Sequence, residues 1–334
     1  MKKYPSISII ARTLNTNLPM FTRVLESVKM QKYPKKLIEY LVMDGGSTNG
    51  TVELAKKYGC KVIKKDIEDE ARAGWGIKIA RGDIILDLES DNIITSDDWF
   101  LKMVKPFMEY KEIFFTYSAY NSYENDMSLT TKYCALFGST DPLLYYLGKS
   151  EKIPLAQKEY NKGIIIQNKP DYYVVKFDKD NLPTLGANGH MFRRDVISKV
   201  IKDPKDYTHT DAVMDMLDLG FDTFGVVKNS IIHVANPSIM GLVRRRVEVK
   251  KSFYDKRRGK RKYLVFNWKS GRDRLNLIKF VFFSLTFVFP LYESIRGYMK
   301  IRDRAWFLHP VLSFIMFFAY GISELQWLVK RMSK

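Results

Sequence analysis

Cysteine is nearly absent: Cys60 and Cys134 are the only two, and no CxxC pair occurs. That argues against a disulfide framework or a thiolate-bound zinc cluster and fits a reducing, cytosolic exposure. No GxGxxG follows the first apolar run, where ARTLN stands instead, which disfavours a dinucleotide-dependent oxidoreductase. No internal repeat is visible, and no apolar run reaches the roughly 20 uninterrupted residues that a spanning helix needs. The start, MKKYPSISII, is basic, but its apolar stretch ends by Arg12, too short for a signal peptide. Acidic residues are in deficit: 37 Asp and Glu stand against 55 Lys and Arg, a formal charge of +18. Such an excess suits nucleic acid, anionic lipid or a phosphorylated ligand, and its location separates these better than its size.

What is present is length enough for a substantial core, in one large domain or two smaller ones. From residue 6 to about 115, short apolar runs alternate with helical patterns: SISII, a segment from Leu18 to Gln31, IEYLVMD, TVELAKKYG, CKVIKK and IILDLE. This alternation predicts an α/β fold with a mostly parallel central sheet flanked by helices. Ligands of such sheets bind at the carboxyl ends of the strands, where ARTLN, DGGSTNGT and ESDN fall. Residues 116 to 182 are rich in Tyr, Asn and Lys with little periodicity; a helix near Leu136 to Leu147 and a variable loop are expected. Pro183 to Val234 supplies a turn, PTLGANGH, a helix starting near Thr210 and an apolar strand, GVVKNSIIHV.

In LDLESDNII, 86 to 94, the acids Asp87, Glu89 and Asp91 recur at every second position, so on a strand they share a face. Like charges so close repel; a metal ion is one way to neutralise them, and solvation of an exposed strand end is another. In IEYLVMDGGSTNGTVELAKKYG a buried strand ends at Asp44, two glycines permit a tight turn, and Ser47, Thr48 or Asn49 can cap the next helix. An Asp so placed can accept hydrogen bonds from a nucleobase or ribose, or simply serve the β-to-α connection.

Five segments together closely resemble the family 2 glycosyltransferases: SIIARTLN at 8 to 15, SVKMQKYP at 27 to 34, VMDGGSTNGT at 42 to 51, EARAGWGIKIARGDIILDLESDN at 70 to 92, and THTDAVMDMLDLGFD at 208 to 222. They follow that family's order and spacing. The resemblance implies a GT-A (Rossmann-like) fold that uses a nucleotide-diphosphate sugar donor with a divalent metal, Mn²⁺ or Mg²⁺, and inverts the anomeric centre. It implies donor contacts from Arg12, Thr13 and Asn15 at the first strand end, from Asp44 as base-binding acid, and from Arg72, Gly74 and Ser90, with Ala73 where the family has Asn. Glu89 and Asp91 take the two acidic places of its DxD motif, with Asp87 below as a supporting acid. Glu stands where Asp is usual; it is still a hard oxygen ligand, one methylene longer. His233, after NSIIHV, is a candidate third metal ligand or phosphate contact. Asp211 falls at the family's catalytic acid position, as general base, with Thr210 where Glu is common; from the residues alone a helix N-cap is the favoured reading. PTLGANGHMFRR resembles the acceptor-side loop, which implies acceptor or phosphate contacts from Gly186, Asn188, Gly189, His190 and Arg193. Arg244 and Arg245, in MGLVRRR, lie where other members carry a basic segment that closes over the diphosphate. The QxxRW form of the processive synthases is missing, which implies a single transfer per encounter.

The last part of the chain changes character. RRRVEVKKSFYDKRRGKRK at 244 to 262 is densely basic, and two apolar runs follow: FVFFSLTFVFPLY at 280 to 292, and Ala305 to Ser323, which carries His309 and Pro310. Two amphipathic or re-entrant helices at a bilayer surface suit these lengths at least as well as two spans; a buried helical hairpin is the alternative. Lys and Arg clusters beside apolar segments match an anionic cytoplasmic leaflet at about 1 kcal/mol each. The expected division is a transferase domain over 1–243 (nucleotide-binding half 1–115, acceptor half 116–243), a basic juxtamembrane segment over 244–270 and membrane-associated helices over 271–334. The expected function is transfer of one sugar to an acceptor at the cytosolic membrane face, a polyprenyl-phosphate or lipid-linked saccharide. Its partners are the donor, the acceptor and anionic lipid, with no nucleic acid; a surface-lying helical pair offers a homo-oligomer contact. The alternative is a basic nucleic-acid- or membrane-binding α/β protein without catalysis. That protein would bind phosphate with steep salt dependence, but aromatic residues interleaved for base stacking are not evident.

Overall fold

The structure is a computed structural model that describes residues 4–332. Its elements, numbered in chain order, begin with β1 (Ile7–Thr13), α1 (Leu18–Lys29), β2 (Ile38–Asp44), α2 (Thr51–Lys57), β3 (Lys61–Lys64), α3 (Asp69–Ile79), β4 (Ile84–Leu88), β5 (Asn92–Ile94) and α4 (Trp99–Glu109). There follow β6 (Phe115–Asn121), α5 (Leu129–Phe137), α6 (Pro142–Tyr146), β7 (Ile164–Asn168), β8 (Tyr172–Lys176), β9 (Asn188–Arg193), α7 (Arg194–Val200), α8 (His209–Asp218) and β10 (Thr223–His233). The chain closes with α9 (Ile239–Val249), α10 (Gly271–Thr286), α11 (Val288–Lys300) and α12 (Leu308–Met332).

β1 and β4 are buried along their whole length, which explains why they read as continuous apolar runs and not as alternating ones. Across the sheet the order is β3-β2-β1-β4-β9-β6-β10-β8-β7, with β5 paired to β10. β1 pairs in parallel with β2 and β4, and β2 with β3. Beyond β4 the described pairings are antiparallel: β9 with β4 and β6, and β8 with β10 and β7. The sheet is therefore mixed, not mostly parallel as the βα alternation predicts, because that alternation stops at β4. After it come strands without crossover helices, such as the β7–β8 hairpin, which reverse direction.

The chain divides into two compact units, one of residues to Ala119 with Tyr160–His233, the other of Tyr120–Glu159 with the residues from Val234. The first unit contains the sheet and its covering helices, with Ile9, Leu41, Leu86, Trp99, Phe100 and Phe192 in its core. The second has its own core, in which Tyr133, Phe137, Leu242, Trp306, Leu312 and Met316 are buried together. Phe137 meets Trp306 edge-on at 4.7 Å. These units cut across the linear division expected from composition, since 120–159 folds with the C-terminal helices. The helix expected over Leu136 to Leu147 is two helices, broken where Gly138 takes a left-handed conformation, φ 63, and Pro142 starts α6.

The C-terminal apolar runs form three helices. α10 and α11 are bent by 83° at Phe287, a non-glycine residue with φ 60. The segment Arg304–Met332 is 29 residues of helix, long and apolar enough to cross a membrane. α12 is two-faced: Leu312 and Met316 are fully buried, while Phe318, Ile322, Leu325 and Val329 are exposed. Ile278, Phe282, Val288, Ile295 and Met299 leave a further apolar surface open on α10 and α11.

Candidate active site

The turn after β2 is built by its acid. Asp44 is fully buried; its Oδ2 accepts the amides of Gly46 and Ser47, both at 2.8 Å. Its Oδ1 accepts the Thr13 hydroxyl at 2.9 Å and the Ser47 hydroxyl. Burial pushes this carboxyl up, but the hydrogen bonds from Ser47, Gly46 and Thr13 outweigh it and hold the group below the usual range. Asn15, in the left-handed region at φ 48, returns the neighbouring loop: its amide donates to Ser47 Oγ and its Oδ1 accepts the Thr48 amide, each at 2.8 Å. Thr13, Asn15 and Asp44 thus form one scaffold, and the four bonds to the Asp44 carboxylate all lie within it. Arg72 lies beneath. Its guanidinium donates to Asp69 at 2.6 Å and to the Ile67 carbonyl at 3.1 Å, and a Cβ on Gly45 would fall 2.2 Å from its Nη1. Gly74 marks another close approach, where a Cβ would fall 2.3 Å from the Pro204 carbonyl oxygen.

Arg12, at the end of β1, is buried among acids. Nη1 donates to Asp69 at 3.0 Å and to Glu70 at 3.1 Å, and Nη2 is in ionic contact with Glu89. Burial by itself would lower its proton affinity, but Glu70, Asp69 and Asp87 outweigh that and raise it. Asp87 is buried, with neither oxygen hydrogen-bonded among the described residues. Burial pushes its carboxyl up despite Arg12. The strand register sets His190 opposite Asp87, with Nε2 3.7 Å from Oδ2, while Nδ1 of His190 lies 2.7 Å from the Gly186 carbonyl.

Glu70 carries the network onward. Its buried carboxylate accepts the His209 amide at 3.1 Å and lies 2.9 Å from His209 Nδ1. Burial pushes Glu70 up, but His209 and Arg12 hold it well below the usual carboxylate range. Burial lowers His209, and Glu70 more than reverses that, so the imidazole is raised. His209 opens α8, and Thr208 is the N-cap. Asp211 stands in the first turn, not at the cap.

Glu89, Ser90 and Asp91 do not continue the strand. β4 ends at Leu88 with a register shift between Asp87 and Leu88, so the expected single face of Asp87, Glu89 and Asp91 is broken. Asp87 stays in the buried sheet; Glu89, Ser90 and Asp91 form a turn into β5. Pairing of β5 with β10 sets His233 opposite Asn92. His233 Nδ1 is 4.0 Å from Asp91 Oδ1 and 3.3 Å from Asn92 Oδ1. Glu89 is engaged by Arg12, so the two acids of the motif have different partners. Among the described residues no group of three or more His, Cys, Asp or Glu is arranged to enclose an ion. Asp91 and His233 nonetheless offer a hard oxygen and an imidazole side by side, a donor pair suited to Mn²⁺.

Gly186, Asn188, Gly189 and His190 reach this rim because β9 starts beside Leu88 and Asp87. Arg193 does not. β9 runs antiparallel to β4, so Arg193 lies opposite Ile84 at the far end, where it donates to the carbonyls of Ile113 at 2.8 Å and Phe107 at 2.7 Å. Arg244 and Arg245 lie exposed on α9, in the other unit. The sequence reading passes over Asp69, Glu70 and His209. A signal existed: three of the four histidines, His190, His209 and His233, belong to this site.

A parallel βα half with its polar turns at one rim, joined to an antiparallel half that returns His190 and His233 to that rim, defines a GT-A-type α/β transferase. The profile of Glycosyl transferase family 2 matches residues 8–201, more than half of the chain, and the protein belongs to that family: it is a glycosyltransferase. Among solved structures it resembles the mannosyltransferase PcManGT from Pyrobaculum calidifontis, in complex with GDP-Man and Mn²⁺, with a TM-score of 0.53 and 11% identity over 97% of this chain and 88% of that one. Residues 1–349 of TarS from S. aureus give 0.44 and 15% over 75% and 66%. Glucosyl-3-phosphoglycerate synthase from Mycobacterium tuberculosis, with Mn²⁺, UDP and glucosyl-3-phosphoglycerate, gives 0.41 and 18% over 70% and 73%. At these identities the likeness concerns the fold alone, and the first of the three carries it. No curated protein matches the chain.

Asp44→Asn puts an amide NH₂ where donors converge, and is expected to lower stability at neutral pH by about 1–3 kcal/mol. The sign with pH follows from the depressed pKa of Asp44. Its stabilisation is complete above its unfolded value of about 4 and is lost as pH falls through the lower folded value. Urea denaturation across pH should therefore show the gap between variant and wild type closing on the acid side.

Proposed function

We propose that the protein transfers a single sugar, with inversion, from a nucleotide-diphosphate donor to an acceptor at the cytosolic face of a membrane, a polyprenyl-phosphate or a lipid-linked saccharide. The observation that carries this reading is the unbroken line of contacts Glu89–Arg12–Glu70–His209, which joins the acidic turn to the first turn of the helix bearing Asp211. In that role Asp211 takes the proton of the acceptor hydroxyl as the oxygen attacks the anomeric carbon, and the bond to the diphosphate breaks on the opposite side. Arg12, Thr13, Asn15, Asp44 and Arg72 shape the turns against which the nucleotide is held. Four carboxylates, Asp69, Glu70, Asp87 and Glu89, stand against Arg12, Arg72 and a protonated His209, an excess of one acid toward which a divalent cation would be drawn. Asp91 and His233, with Glu89, are the residues to hold it; when bound, the ion supplies Lewis-acid stabilisation of the charge on the departing nucleotide diphosphate. Family membership supports the donor class, and the mannosyltransferase of similar fold binds GDP-Man with Mn²⁺.

The membrane part of the reading is supported by the span-length helix Arg304–Met332 and by the open apolar faces of α10 and α11, which begin among Arg272, Arg274 and Lys279. Apolar burial and cationic attraction to anionic lipid add in such an arrangement.

Two experiments test these points. In a thermal-shift panel of UDP-, GDP- and dTDP-sugars, stabilisation by one donor should require Mn²⁺ and vanish in Asp91→Ala. Asp211→Asn should keep that stabilisation while transfer falls by about 10²–10⁴-fold; weakened donor affinity with normal turnover contradicts the base assignment. For the membrane, the full chain should stay on anionic vesicles in about 1 M salt, where the screening length is only about 3 Å. Release by salt alone contradicts insertion.

A further inference from the structure

We infer that Glu70 is a positioning residue for the transfer step: its carboxylate, on α3, fixes the first turn of α8 and thereby Asp211. The inference rests on Asp211 as the base proposed above. A helix start leaves backbone amides in need of acceptors, and His209 is the first residue of α8. The acceptor comes from an element 139 residues away in the chain: Glu70 Oε2 takes the His209 amide at 3.1 Å. The same carboxylate holds the His209 ring, with Nδ1 2.9 Å from Oε1 and 3.0 Å from Oε2. Arg12 Nη1, at 3.1 Å from Oε1, fixes the carboxylate from the other side. An anion at this place also complements the positive end of the helix dipole.

The segment leading into α8 is pressed against α3 as well. A Cβ on Gly74, one turn beyond Glu70, would lie 2.3 Å from the Pro204 carbonyl oxygen and 2.7 Å from Tyr207 Cβ. Pro204 through His209 therefore follow α3 closely. α3 also supplies Asp69 to both Arg12 and Arg72, so one short helix sets the donor-side arginines and the base-bearing turn together. Displacing a reacting group by about 1 Å can cost about 100-fold in rate. Glutamine cannot replace Glu70 here: one of its two terminal atoms is a donor and would face a donor on Arg12 or His209.

The test uses the full chain with Glu70→Gln, Asp211→Asn and the double variant, and the nucleotide sugar that stabilises the wild type. Glu70→Gln should lower kcat at least 10-fold, a larger change than in the donor KM, which the same carboxylate influences through Arg12, and should add little to the loss in the Asp211→Asn background. Amide exchange over 209–211 should accelerate at least 10-fold while the strands keep wild-type protection. An unchanged kcat overturns the inference, as does a loss that multiplies with that of Asp211→Asn. If the wild type transfers no sugar, the proposed function fails, and the exchange data judge Glu70 alone: acceleration confined to the start of α8 sustains the anchoring role, and unchanged exchange refutes it. Should Glu70→Gln not fold, His209→Asn keeps the amide bond and removes the ring contact; a several-fold fall in kcat at constant donor KM supports the role, and an unchanged kcat rejects it.

Discussion

One buried guanidinium, helped by Arg72 and His209, stands among acids arriving from three elements. Arg12 closes β1, Asp69 and Glu70 open α3, Asp87 lies in β4, and Glu89 follows it. Removing a charge from water costs several kcal/mol unless it is paired and hydrogen-bonded. These ion pairs tie β1, α3 and the end of β4 together beside the apolar packing of the sheet. The pairing is also incomplete, since Asp87 keeps two oxygens without a hydrogen-bond donor among the described residues. The rim is thus locally acidic within a chain whose overall charge is +18.

The mixed sheet explains how distant residues meet there. The parallel strands bring Thr13, Asp44 and Asp87 to their carboxyl ends by simple βα repetition. The antiparallel strands then return His190 and His233 to the same rim, and α8 brings His209 to Glu70. Direction matters as much as identity. His190 reaches the site and Arg193 does not, because they stand at opposite ends of one strand.

Much of the parallel half was legible in the sequence. Continuous apolar runs with polar ends mark strands buried on both faces, and DGGS forms the tight turn that its glycines allow. The helix at Thr210 lies within a residue of its observed start. Local patterns are silent where the cause is long-range. Nothing near Phe137 shows that it will pack on Trp306, so the membership of 120–159 in the C-terminal unit could not be read. The two-residue rhythm of Asp87, Glu89 and Asp91 holds only while the strand lasts, and it stops at Leu88. Glu70 has no local signal of its role, since Arg12 and His209, each far away in sequence, give it that role only once they are placed around it. The C-terminal runs revealed apolar content but not the bend at Phe287 or the burial of one face of α12 within its own unit.

The most direct measurement of the charge constraint is the stability of Arg12→Met as a function of pH. With the guanidinium gone, its acids lose their counter-charge and their folded pKa values rise above the unfolded value of about 4, so the penalty is greatest at neutral pH, about 3–5 kcal/mol. As pH falls through those raised values the acids protonate and the variant should gain stability. The penalty relative to the wild type, whose Glu70 is held low partly by Arg12, should therefore shrink toward acid pH. A penalty that does not change with pH would contradict the dependence of this rim on Arg12.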